Sequence, residues 1–152
     1  MSEIMTPDQA NFAGNIHGGH LLSFLDKVAY ACAARYSGHY VVTLSVDQVV
    51  FKKPIHVGNL ITCLAAVNHV GRSSMEIGIK VLAENLSTGT VRHTNSCYFT
   101  MVALDEHHKP VTIKPLICTT EEQERRFKEA ELRKKMRMEL AEKEKAFAIK
   151  HD

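Results

Sequence analysis

The sequence predicts an α+β fold in which a curved antiparallel sheet wraps one long helix, plus a charged C-terminal helix. Three observations predict this. Between Leu21 and Tyr36 the apolar residues recur at the i, i+3, i+4, i+7 spacing of a buried helix face. About four β-branched, alternating runs follow, joined by short links. A single helix cannot cover a large sheet on both faces, so the sheet must curl on that helix and turn its other face to water or to a second subunit. The 152 residues, 45% hydrophobic and 24% charged, suit one such domain over residues 1–118 and a charged extension over 119–152.

The elements read off in order. A short edge strand around Glu3 to Thr6 precedes the Pro7-Asp8 turn. Residues 11–19 hold three glycines and two asparagines, so they form an irregular loop. The core helix follows at once, with Leu21, Leu22, Leu25, Val28, Ala29, Cys32 and Ala33 along its stripe and Gly38 as its stop signal. Val41 to Phe51 reads as a strand ended by Pro54, with Val42, Leu44, Val46 and Val50 on one face. Strands from Leu60 to Val70 and from Met75 to Ala83 are linked by Gly71-Arg72-Ser73. Val91 to Leu104 is a long last strand after the Asn85 to Thr90 turn. Residues 121–147 contain no Gly or Pro, and Thr119 or Thr120 can cap them with Glu122 or Gln123. Leu132, Met136 and Leu140 make a thin stripe there, which serves either a subunit contact or a solvated, ion-paired helix.

Charge and cysteine usage exclude several classes. Lys plus Arg number 19 and Asp plus Glu 17, a balance that gives no footprint for nucleic acid. No apolar run approaches the roughly 20 residues that span a bilayer, and no basic-then-apolar leader opens the chain. Cys32, Cys63, Cys97 and Cys118 form no CxxC pair, so free thiols in a reducing compartment are expected, with no metal site and a cytoplasmic location.

Three places carry candidate chemistry. Asp26 lies on the core helix about 100° from the centre of its apolar stripe. A carboxylate at that margin of burial suits a general base or nucleophile, and equally an ordinary helix-edge aspartate. Gly18-Gly19 fall at the helix start, where the first N–H groups lack internal partners; they are either an oxyanion site or a plain turn. Asn11 and Asn15 in the same loop can position water or hold the loop. Gly71-Arg72-Ser73-Ser74 offers a cation and two hydroxyls that can hold a phosphate, and Lys52 and Lys53 add charge. No GxSxG nucleophile elbow occurs.

In combination these residues carry a resemblance. The order Asn11-x-x-Gly14-x-x-x-Gly18-Gly19-x-Leu21-Leu22-x-x-x-Asp26 resembles the helix-opening motif of the hotdog-fold acyl-CoA thioesterases. Val-Asp-Gln-Val-Val-Phe-Lys-Lys-Pro-Ile-His-Val-Gly (46–58), Val-Gly-Arg-Ser-Ser (70–74) and Tyr98-Phe99-Thr100-Met101-Val102 are similar to that family too, above all to its YciA-type and cytosolic acyl-CoA hydrolases. The resemblance implies a hotdog fold, hydrolysis of acyl-CoA to a free acid and CoA, and no cofactor beyond the CoA of the substrate. It implies a dimer as the minimal active unit, a trimer of dimers as the assembly, and a site between subunits. By position Asp26 is then the catalytic carboxylate, and Asn11 works from the opposite subunit. Gly19 offers its N–H to the thioester oxygen, and Gly71, Arg72, Ser73 and Ser74 contact CoA. His17 departs from the family, since many members carry Phe or another apolar residue there; acyl length therefore stays open. Two other functions remain on the sequence alone. A hotdog dehydratase would use a His with a carboxylate, such as His17 and Asp8, and an acyl-CoA sensor would bind without turnover.

Overall fold

A computed structural model describes residues 1–151, with side chains through residue 150. Residues Met1–Pro115 form one compact unit, and a second begins at Leu116, three residues before the boundary read from the sequence. In the first unit, β1 (Ser2–Ile4) leads through a short 3₁₀ turn, Pro7–Gln9, to α1 (Gly18–Ser37). Then come β2 (Tyr40–Val46), β3 (Asn59–Val70), β4 (Ser74–Asn85) and β5 (Thr90–Leu104). All four strand pairings are antiparallel, in the order β1-β3-β4-β5-β2, and α1 packs against β2, β3, β4 and β5.

Residue pattern explains the core. Leu21, Phe24, Leu25, Val28, Ala29 and Ala33 form the buried face of α1. Met75, Ile77, Ile79 and Val81 on β4 are all buried, as their alternation requires. Each such side chain contributes about 1.5–3 kcal/mol by leaving water. Gly38 ends α1 at φ 71°, and its N–H donates to the Ala34 carbonyl at 2.9 Å; a left-handed backbone there favours glycine.

The strand after α1 departs from the sequence reading. It ends at Val46 rather than Phe51, since the pairing with β5 stops after the Asp47 N–H donates to the Tyr98 carbonyl at 3.0 Å. Its register shifts between Thr43 and Ser45. The face shared by Leu44, Val46 and Val50 is exposed in the chain; buried Val41 is the residue that meets the core. β2 is thus an edge strand presenting apolar side chains to solvent in the chain.

In the second unit, α2 begins at Glu121 and continues through the end of the described residues. Gln123 donates its N–H to Thr120 Oγ1 at 3.2 Å, and Gln123 Oε1 accepts the Thr119 and Thr120 N–H groups at 2.7 and 3.3 Å. That is the expected capping box. Arg125–Glu129 (2.8 Å) and Arg126–Glu122 (2.7 Å) are exposed i, i+4 pairs, worth a few tenths of a kcal/mol each.

Candidate active site

Asp26 projects from α1 at the rim of a cavity of about 350 Å³. The walls are Leu22 of α1, Val46 of β2, Asp47, Val49 and Phe51 of the segment after β2, and Phe99 of β5. The carboxylate is exposed in the chain, not desolvated as its helix position suggested, and among the described residues no cation pairs with it. Its one hydrogen-bond partner among the described residues is Thr43, whose hydroxyl donates to Asp26 Oδ1 at 2.6 Å. A bond this short to an ionised acceptor is charge-assisted and directional. It leaves Oδ2 free to take a proton. Thr43 lies on the same side of β2 as buried Val41, and its Oγ1 is also 3.4 Å from Met101 Sδ.

Thr43 escaped the sequence reading. Threonine is ordinary in a strand, and its alternation opposite to apolar Val42 and Leu44 gives no sign that it faces the helix.

The helix start differs from expectation in one atom. His17 is the N-cap, and its Nδ1 accepts the Gly19 N–H at 3.0 Å. An accepting Nδ1 requires the neutral ring with its proton on Nε2. The Gly19 amide is therefore occupied. The His20 and Leu21 amides donate to the His17 carbonyl at 3.0 and 3.2 Å. Gly18 has the first amide with no protein acceptor among the described residues. A Cβ on Gly18 would stand 3.4 Å from Phe51 Cε2, so the helix start and the Asp26 cavity share Phe51. The two groups a dehydratase would pair have other partners in the chain. His17 is held by Gly19, while Asp8 accepts from the Thr6 hydroxyl, which holds its carboxyl below the usual range.

Asn11 sits in a tight turn. Its Oδ1 accepts the Ala13 and Asn15 N–H groups at 2.9 and 3.2 Å, which leaves its NH₂ as the free end. His56 Nδ1 meets Asn15 Oδ1 at 3.0 Å and ties this loop to the segment before β3. Asn11 does not line the Asp26 cavity of its own chain. Nor do Gly18 and Asp26 converge within one chain, for eight residues of helix separate them by about 12 Å along the axis. A donor and a base serving one carbonyl should both stand about 3 Å from it.

The hairpin Gly71-Arg72-Ser73-Ser74 links β3 to β4, closed by the Gly71 N–H on the Ser74 carbonyl at 2.8 Å. The Ser73 and Arg72 carbonyls accept from Ala103 and Ile113 at 2.9 Å each, so the tip is braced and the Arg72 side chain is exposed. Met75, Met101 and Thr43 share one row across β4, β5 and β2. Strand spacing and rise put Arg72 roughly 14 Å from Thr43. Lys52 and Lys53 are exposed beside Phe51.

The family model described as "Thioesterase superfamily" matches residues 13–90. Protein VdlD of Helicobacter pylori is 53% identical over 137 residues, covering 90% of this chain and 78% of that protein. The uncharacterized acyl-CoA thioester hydrolase YkhA of Bacillus subtilis is 38% identical over 117 residues, 77% of this chain and 68% of that one. Among solved structures, an apo hexameric acyl-CoA thioesterase aligns with a TM-score of 0.89 at 35% identity, covering 93% of this chain and 90% of its own. An acyl-CoA hydrolase of Staphylococcus aureus, solved with butyryl coenzyme A and coenzyme A, aligns at 0.83 and 28% identity, covering 97% and 93%. Alanine mutants of that enzyme at an aspartate, an asparagine and a threonine have also been solved.

Proposed function

The chain belongs to the thioesterase superfamily, has the hotdog fold and hydrolyses acyl-CoA thioesters; from that premise we propose that Asp26 is its catalytic base, in a site completed by a second copy of the chain. The observation that carries the proposal is the carboxylate itself. It is oriented by the Thr43 hydroxyl, free of any cation among the described residues, and set on the rim of an apolar cavity. Water reaches it from the exposed side and gives a proton to Oδ2 while its oxygen attacks the thioester carbon. The carbon–sulfur bond then breaks with its electron pair on sulfur, the proton on Oδ2 passes to that thiolate, and CoA and the free acid leave with the Asp26 carboxylate restored. A thioester carbonyl is electrophilic enough that no serine triad is needed. No electron is transferred, so the reaction as proposed uses no cofactor beyond the CoA of the substrate.

The partner supplies what one protomer lacks. The Asn11 NH₂ and the helix-start amide of one protomer face Asp26 of the other, and each dimer holds two such sites. We assign the free Gly18 N–H as the first oxyanion donor; Gly19 joins it only when His17 turns away. The exposed apolar edge of β2 supports pairing between copies, and a trimer of such dimers is the proposed assembly, by analogy with hexameric structures that resemble this one. The mutated S. aureus positions lie 15 and 17 residues apart, the intervals separating Asn11, Asp26 and Thr43 here. Arg72, Ser73, Ser74 and Gly71 are assigned to hold the nucleotide end of CoA; the exposed Arg72 side chain, roughly 14 Å from Thr43, supports that reading. A cytoplasmic location fits four free cysteines. No helix among the described residues is long and apolar enough to cross a membrane.

Free-thiol release from a panel of acyl-CoAs tests the assignment. Asp26→Asn should lower kcat by about 10²–10⁴-fold. Full activity in the folded variant overturns it.

A further inference from the structure

We infer that Phe12 of one protomer closes the Asp26 cavity of its partner and so sets the acyl length the enzyme accepts. The inference rests on the reading that Asn11 acts across the dimer.

Residues Asn11 to Gly14 form a braced turn. The Gly14 N–H donates to the Asn11 carbonyl at 3.0 Å with Gly14 at φ 79°, and the Asn11 N–H donates to the Asn15 carbonyl at 2.6 Å. The two bonds to Asn11 Oδ1 lock the same turn from its side chain. Yet this rigid turn holds the Phe12 ring entirely in solvent, at 113% relative exposure. A pre-ordered aromatic with nothing of its own chain against it has the form of an anchor for a pocket on a partner.

One pocket on a second copy fits it. The Asp26 cavity is walled by Leu22, Val49, Phe51 and Phe99 and stands open to solvent in the isolated chain, with Phe51 itself 46% exposed. Phe12 follows Asn11 by one Cα step of about 3.8 Å. Any pairing that brings the Asn11 NH₂ to a thioester beside the partner's Asp26 therefore brings the Phe12 backbone to the same site, with its exposed ring within reach of the mouth of that cavity. The ring and the acyl chain then compete for the same apolar space. Two-fold symmetry repeats the contact in the second site.

Two measurements test this. First, Phe12→Ala and Phe12→Trp are assayed with butyryl-, octanoyl- and palmitoyl-CoA. Opening the cavity with alanine should raise kcat/KM for the longest chain relative to the shortest by about tenfold, and tryptophan should move the ratio the other way, the scale on which an apolar pocket reads added methylenes. Superimposable profiles for wild type and both variants overturn the inference. Second, the folded double variant Phe12→Cys, Val49→Cys is treated with diamide. A disulfide-linked dimer, beyond what either single variant gives, is expected; its absence overturns the contact whatever the activity. The outcomes also separate this inference from the reading beneath it. An inactive Asp26→Asn protein with unchanged Phe12 profiles removes only the role of Phe12. A linked dimer together with a fully active Asp26→Asn protein keeps the contact and removes the assignment of Asp26.

Discussion

Replacing Thr43 by valine tests the orientation of the catalytic carboxylate with the least collateral change. Valine keeps the β-branched shape and the packing beside Met101 but removes the hydroxyl that donates to Asp26 Oδ1 at 2.6 Å. A hydrogen bond to a charged group contributes about 1.5–3 kcal/mol. Because Asp26 is exposed in the chain, water replaces most of that interaction in the folded state, so stability should fall by no more than about 1 kcal/mol. The effect on turnover is different, since the lost bond fixes the direction in which Oδ2 faces the water. If the full interaction is felt in the transition state, kcat drops by about 10–100-fold, at 1.36 kcal/mol per factor of ten. KM should hold, because Thr43 touches Asp26 and Met101 rather than the CoA-holding hairpin. Thr43→Ser restores the donor and should recover most of the turnover. The assay is initial-rate thiol release at saturating acyl-CoA, with urea unfolding to confirm the fold. A valine variant within about twofold of wild type, or a serine variant as slow as valine, refutes the reasoning.

Two further predictions concern other parts of the molecule. Arg72→Ala should raise KM for acyl-CoA roughly tenfold at unchanged kcat, for loss of a charge-assisted phosphate contact; an unchanged KM with lower kcat removes the CoA-holding role. Burial pushes the Cys63 thiol up to about 11 and the Cys97 thiol up to about 12. An unfolded thiol ionises near about 8.5. Between those values the unfolded chain releases protons that the folded chain keeps, so stability is complete below about pH 8.5 and declines as pH rises toward 11–12. Urea midpoints measured from pH 7 to 10.5 should show the decline, and Cys97→Ala should flatten it; a slope unchanged in that variant contradicts the assignment.

Regular periodicity made most of the fold legible. Leu21 to Tyr36 announced α1, Gly38 its end, and the alternation of Met75, Ile77, Ile79 and Val81 the inner face of β4. The strand after α1 reads too long, to Phe51, because its β-branched run continues past Val46, where pairing with β5 stops; alternation puts Leu44 and Val46 on one face without saying which face is inside. The bulge at Thr43/Ser45 and the missing neighbour beyond an edge strand leave Leu44 and Val46 outside. Asp26 was legible as a helix-edge carboxylate, and its motif carried the family. Thr43 was not, since its role depends on a contact between residues 17 apart in sequence that only folding creates. The occupied Gly19 amide was equally hidden, for it depends on the rotamer of His17. His17 supplies the helix with its own cap and leaves the Gly18 amide open.

The most direct test of a site shared between copies mixes two inactive proteins. Asn11→Asp keeps acceptor oxygens for the Ala13 and Asn15 amides but loses the free NH₂, and Asp26→Asn loses the base. Unfolded together in equal amounts and refolded, half of the dimers pair one of each, and each mixed dimer has one site with both groups intact. Roughly a quarter of the wild-type turnover should return. Refolded mixtures no more active than either parent alone would contradict the account.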